Sequence, residues 1–187
     1  MDYLKTKVPG VIVLVPELIP DNRGYFARVF SARDLEENSG FPFPVCQVNH
    51  SFNRLKGTLR GLHFLKPPYQ ENKLVLVVKG AILDVALDLR PNSPTYKQWH
   101  SEILTAENAK KMLIPAGCAH GFQTLDDQTE VFYLVSEYYE PLAEGGLRWN
   151  DPSLDLNWPF APPLVISEKD QSWPDFDWAA HKAYQIP

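Results

Sequence analysis

No stretch of this sequence sustains a three-to-four-residue apolar repeat long enough to build an extended amphipathic helix. Seventeen prolines and ten glycines cut the chain into short pieces. Proline removes a backbone donor and glycine frees the backbone for turns, so both end regular elements early. Between them survives mostly apolar–polar alternation, the period of a strand. A β-rich sandwich or barrel with many turns is predicted, with few and short helices. At 187 residues, one domain over 1–187 with a sizeable core is expected.

The strands are clearest in the middle of the chain. Residues 73–78 read as a strand and Lys79-Gly80 as a turn. Ile82 to Arg90 alternates, with Val85, Leu87 and Leu89 on one face and Asp84, Asp88 and Arg90 on the other. Trp99 to Leu104 and Glu130 to Ser136 follow the same rule, and Val131, Tyr133 and Val135 share a face. Nearer the N-terminus, residues 11–15 read as a buried strand ended by Pro16. Asp21-Asn22-Arg23-Gly24 is a turn, and Tyr25 to Phe30 a strand completing a hairpin. Ser31 with Asp34 three residues on marks a helix start, and Gly40 its stop. Beyond Glu140 the pattern weakens into a tail rich in tryptophan and proline, expected to pack on the barrel.

Charge and composition narrow the function. Net charge is −5 with no basic run, which argues against a nucleic-acid binder. An anionic substrate would need a local basic pocket against that background. Cys46 and Cys118 lie far apart, so neither a disulfide framework nor a zinc knuckle is expected. The N-terminal residues carry no long apolar run; no signal peptide, no membrane span and a cytoplasmic location are expected.

The chemistry concentrates in Thr58-Leu59-Arg60-Gly61-Leu62-His63-Phe64. Arg60 can clamp an anion bidentately, and an imidazole such as His63 moves protons near neutral pH. The two lie an odd number of residues apart, so a regular strand would aim them oppositely. Gly61 permits a bulge that turns both towards one cavity. Taken alone, the stretch is better explained by a salt-bridged arginine beside a core histidine. Two scattered histidines, His63 and His120, do not make a transition-metal site. No nucleophile elbow or phosphate loop is present. Acid–base chemistry remains, with His63 as base, Tyr133 as acid, Lys73 beside a developing enolate oxygen, and a carboxylate such as Asp170 holding the His63 ring.

At these residues the chain resembles the RmlC family, the dTDP-4-dehydrorhamnose 3,5-epimerases of the cupin superfamily. The matching pieces include Pro20-Asp21-Asn22-Arg23-Gly24-Tyr25-Phe26, Gln47-Val48-Asn49-His50-Ser51, Leu59-Arg60-Gly61-Leu62-His63 and Asn72-Lys73-Leu74-Val75. Further along stand Ile114-Pro115-Ala116-Gly117-Cys118-Ala119-His120-Gly121-Phe122, Tyr133, Tyr138-Tyr139 and Ser167-Glu168-Lys169-Asp170. The pieces keep the family's order over nearly the whole chain.

The resemblance implies an all-β cupin-type jelly roll with short peripheral helices. It implies a homodimer that exchanges an N-terminal strand, a nucleotide-diphospho-4-keto-6-deoxy sugar as substrate, and no metal or organic cofactor. It assigns His63 as base, Tyr133 as acid, Asp170 as the partner of His63, and Lys73 to the keto oxygen. Arg23 and Arg60 match pyrophosphate-binding positions, and Tyr139 the base-stacking one. Gln47, Asn49, His120, Glu144 and Lys169 match other substrate contacts.

Two departures qualify this. Many members of the family carry glutamate where this chain has Arg28, near the nucleotide base, and Tyr-Gln where it has Phe64-Leu65. A guanidinium only donates hydrogen bonds, which tilts the match from thymine towards cytosine unless Arg28 turns to an acid or phosphate. Inversion at one carbon rather than two, and a binding cupin without turnover, are the remaining alternatives.

Overall fold

The computed structural model describes residues 1–182. The chain forms β1 (Asp2–Lys5), β2 (Ile12–Val15), β3 (Ile19–Asp21), β4 (Gly24–Phe26), α1 (Ala32–Ser39), β5 (Gln47–Asn53) and β6 (Thr58–Leu65). There follow β7 (Lys73–Lys79), β8 (Ala81–Asp88), β9 (Trp99–Thr105), β10 (Lys111–Ile114), β11 (Cys118–Thr124) and β12 (Thr129–Val135). The tail contributes β13 (Glu144–Gly146), β14 (Val165–Ile166), α2 (Glu168–Gln171) and α3 (Trp178–Lys182). Two large sheets result, ordered β1-β2-β10-β7-β12-β5 and β13-β6-β11-β8-β9, with β14 added in parallel to β6. This is the expected all-β jelly roll with short peripheral helices.

Three apolar layers hold it together. Between the sheets, Val75, Val77, Met112 and Val131 meet Ile82, Ala86, Leu104 and Phe122. On the outer face of the second sheet, Val85, Leu87 and Leu89 are covered by Leu147, Leu154 and Trp158 from the tail. On the outer face of the first, Leu14, Leu74 and Leu113 are covered by Leu35 of α1 and by Phe43. Burying one such side chain is worth about 1.5–3 kcal/mol, enough in sum to fix the tail against the sheet. The tail therefore packs as expected, and it delivers α2 to the rim of the barrel.

The hairpin is shorter than expected. Its second strand ends at Phe26 rather than Phe30, because the opposing arm offers only Ile19–Asp21 as ladder partners. Likewise β8 ends at Asp88 rather than Arg90, whose guanidinium folds back onto the Asp88 carboxylate. The helix α1 starts and stops where the residues predict: Ser31 Oγ accepts from the Asp34 N–H, and Gly40 closes it in the left-handed region.

The bulge at Gly61 is present. His63 pairs with His120 and Arg60 with Phe122, so Gly61 and Leu62 together oppose the single residue Gly121. The extra residue restores Arg60 and His63 to the same side of β6. Gly61 has φ +102°, and a Cβ there would lie 2.6 Å from the His120 carbonyl oxygen. Gly61→Ala is therefore expected to destabilise the fold by roughly 2–4 kcal/mol. Urea unfolding measures this; a midpoint equal to wild type would rule out the steric account.

Candidate active site

Five strands and the tail bring the polar residues to one end of the barrel interior. Two adjoining cavities of about 340 and 420 Å³ lie there and share His63, Lys73 and Tyr133 in their walls. Arg60 and His63 come from β6, Lys73 opens β7, His120 lies on β11 and Tyr133 on β12. Gln47 and Asn49 come from β5, whose register sets Asn49 opposite Tyr133. The Gln47 amide donates to Asn49 Oδ1 at 2.6 Å, so the two form one polar wall.

The base candidate is held from the tail. Strand β14 runs beside Thr58 and Leu59, and Ser167 then caps α2 by accepting the Asp170 N–H. This turn places Asp170 Oδ1 2.6 Å from His63 Nε2, while Oδ2 accepts the Gly61 N–H at 3.2 Å. Asp170 is buried. Burial alone would push its carboxyl up, but His63 and the Gly61 N–H more than offset this and hold it below its ordinary value of 3.8. Its contribution to stability is fully present above that value and lost as pH falls through the lowered one. With Nε2 engaged, Nδ1 is the nitrogen left to take a substrate proton.

The acid candidate is mostly enclosed. Tyr133 packs against the inter-sheet core and lines both cavities. Burial pushes its phenol up from 10.0; Arg60 opposes the shift and Glu71 adds to it. Tyr133 thus stays protonated, as an acid must. Arg60 is steadied by Asn53, whose Oδ1 accepts from Nε at 2.7 Å, and by the Phe52 carbonyl, which accepts from Nη2 at 3.4 Å; its guanidinium can add an anion to these partners.

At the rim, Glu144 accepts from the Tyr139 hydroxyl at 2.6 Å and pairs with Lys169 at 2.5 Å. Three residues matched separately in the sequence thus form one cluster. The Tyr139 phenol is raised chiefly by its bond to the Glu144 carboxylate.

Two expected residues lie elsewhere in this chain. Arg23 pairs with Asp21 at 2.6 Å on the tip of the β3–β4 hairpin, which joins neither large sheet. Arg28 pairs with Asp34 at 3.3 Å and lines a separate cavity with Tyr3 and Glu37. The guanidinium is thus turned to an acid within its own chain rather than to a nucleotide base.

Three site residues had not been assigned from the sequence. Asp84 is fully buried and holds His120, with Oδ1 2.7 Å from Nε2. Burial raises its carboxyl, against the pull of His120 and Lys73. A carboxylate on the inward-facing side of an alternating strand was the available signal. Glu71 pairs with Lys73 at 2.9 Å, and its place two residues before Lys73 was the hint. Asn53, the support of Arg60, carried no signal.

A histidine backed by a carboxylate lines the same two cavities as an enclosed tyrosine and a lysine, on a cupin-type fold, an arrangement with the groups that acid–base chemistry needs. The comparisons narrow the class. Residues 5–177 match the family model of dTDP-4-dehydrorhamnose 3,5-epimerase. The chain is 41% identical over 170 residues to the dTDP-4-dehydrorhamnose 3,5-epimerase of Shigella flexneri, covering 91% of this chain and 93% of that one. The Bacillus anthracis dTDP-4-dehydrorhamnose 3,5-epimerase, solved with TDP and pyrophosphate, superposes with a TM-score of 0.89 at 41% identity, covering 94% and 99% of the two chains. The RmlC enzyme of Legionella pneumophila, solved with dTDP-4-keto-L-rhamnose, gives a TM-score of 0.85 at 36% identity over 90% and 89%. The chain belongs to the dTDP-4-dehydrorhamnose 3,5-epimerase family. No helix among the described residues is long and apolar enough to cross a membrane.

Asp170→Asn isolates the contribution of the His63 partner. The amide keeps the shape but loses the charge that orients the ring, and kcat is expected to fall roughly 10- to 100-fold. A fall in stability alone, with kcat unchanged, would reduce Asp170 to a structural tie.

Proposed function

We propose that this chain inverts carbons 3 and 5 of a dTDP-linked 4-keto-6-deoxy sugar, in a rhamnose-type deoxysugar pathway. The observation that carries the reading is His63, held by Asp170, lining the same two cavities as Tyr133 and Lys73. The 4-keto group acidifies the C–H bonds on either side. His63 takes one such proton, and the bonding pair moves to the ketone oxygen as an enolate beside the Lys73 ammonium. Tyr133 then returns a proton to the opposite face of the carbon, and the ketone re-forms. His63 loses its extra proton and Tyr133 regains one from water before the next carbon reacts. No cofactor is required by these steps, since no electrons leave the substrate.

Arg60, Lys169 and the Tyr139–Glu144 pair are assigned to the nucleotide diphosphate, Gln47, Asn49 and His120 to the sugar. Arg23 and Arg28 are assigned to the same pocket of a second copy, in a homodimer formed through the N-terminal arm. The β3–β4 hairpin supports this: it stands off both sheets and exposes Ile19, Tyr25 and Phe26.

The test is incubation with the 4-keto-6-deoxy sugar nucleotide in deuterium oxide, run in parallel with thymidine- and cytidine-linked substrates. Deuterium at both carbons of the thymidine substrate is expected. Binding without exchange would make the chain a module, and preference for the cytidine substrate would overturn the base assignment.

A further inference from the structure

The cavity contains a carboxylate that the proton transfers above do not use. Glu71 lies just ahead of β7 and lines the same cavity as His63, Lys73 and Tyr133. Its Oε2 is 2.9 Å from Lys73 Nζ, and both side chains are only 14% exposed. An ion pair on the open surface contributes little. This pair is largely withdrawn from water, so removing one partner would leave the other poorly compensated. An anionic group beside a site for an anionic substrate also repels it, so its presence calls for a role.

We propose that Glu71 is a positioning residue of the reaction, holding the Lys73 ammonium at the ketone oxygen of the substrate. The inference rests on the epimerase reading given above. Two independent effects support it. The first is geometric: Lys73 has a flexible four-carbon stem, and a carboxylate within hydrogen-bond distance fixes where its charge sits. The second is electrostatic. Arg60 and His63 share the cavity walls with Tyr133 from β6, Lys73 from β7 and His120 from β11, while β5 offers the neutral Gln47 and Asn49 and also His50, which pairs with Glu130 at 3.1 Å. Asp170 is engaged with His63, and Glu144 with Lys169. Burial raises the phenol most; Arg60 pulls it down and Glu71 pushes it back up. Glu71 therefore counters the arginine that the diphosphate requires.

The sign follows directly. Tyr133 donates a proton only while protonated, so activity holds below its pKa and is lost above it. Removing the Glu71 charge lowers that value, and the alkaline limb of kcat moves to lower pH.

The experiment compares wild type, Glu71→Gln and Glu71→Asp in epimerisation of the thymidine-linked substrate across pH. Glu71→Gln is expected to lower kcat about tenfold, leave KM within about twofold, and shift the alkaline limb downwards. Glu71→Asp, which keeps the charge, is expected to keep the limb near its wild-type position. A Glu71→Gln enzyme with wild-type kcat and an unmoved limb overturns the inference. So does a loss of activity with an unmoved limb, which would mark a structural role only. Wild-type protein that fails to turn over would instead refute the epimerase reading, so the two failures are distinguishable.

Discussion

His63→Ala is expected to abolish deuterium uptake at both carbons of the substrate, with kcat reduced by on the order of 100-fold or more. The reason is geometric. Two other imidazoles line the second cavity: His50, paired with Glu130 at 3.1 Å, and His120, directly across the ladder from His63. Its Nε2 is tied to Asp84 at 2.7 Å, within a pocket where it is largely buried. Asp170 stands behind the ring, with Oδ1 2.6 Å from His63 Nε2, and the variant removes the partner that holds its carboxyl low. The variant also leaves that buried carboxylate with only the Gly61 N–H as a partner, so a stability loss of about 1–3 kcal/mol is expected beside the catalytic one. Proton exchange in deuterium oxide separates the two effects, because folded variant protein can be assayed below its unfolding temperature. Retention of wild-type exchange by His63→Ala would remove His63 from the role of base.

The architecture was legible because the punctuation was. Turn residues at Asp21–Gly24, Lys79-Gly80 and Pro115–Gly117 bracket segments whose alternation survives in the fold, with the residues of β8 and β12 divided between two faces as read. The bulge followed from Gly61 between two functional side chains and is present. What alternation could not supply was which side of β8 faces water. In fact neither does: Val85 and Leu87 lie under the tail, while Asp84 and Asp88 turn into the barrel and are fully buried. Such carboxylates persist only because His120 holds one and Arg90, Ser93 and Thr95 hold the other. Those partners are distant in sequence or reached through a turn, so no local period announces them.

The site was legible to the extent that single residues have a chemistry of their own. His63, Tyr133 and Lys73 stood out as polar groups within apolar strands, and the structure gathers all three. Asp170 was supported chiefly by resemblance. Its position depends on a parallel pairing of β14 with β6 and on the Ser167 cap, both contacts across more than 100 residues of chain or confined to one turn. Glu71 escaped because a carboxylate among proline, glutamine and asparagine reads as a solvated loop charge; only the fold shows it withdrawn from water.

Tyr133→Phe is expected to separate proton removal from proton return. The ring packs against the inter-sheet core, so phenylalanine keeps the apolar contacts. The hydroxyl has no hydrogen-bond partner among the described residues, so its deletion leaves no buried group unsatisfied and stability should change by less than about 0.5 kcal/mol. Catalysis is another matter. Without the phenol, His63 can still draw a proton from the substrate and let it exchange with solvent, but no group stands ready to deliver one to the opposite face. Inversion should slow by on the order of 100-fold while deuterium wash-in slows much less. The pH profile gives a second reading. Burial, aided by Glu71 and opposed by Arg60, raises the Tyr133 phenol, so the wild-type alkaline limb lies above 10.0 and activity declines as pH rises through it. The phenylalanine variant has no such group, and its residual activity should lack that limb. Inversion at the wild-type rate, or an alkaline limb that persists unchanged in the variant, would transfer the role of acid to another residue.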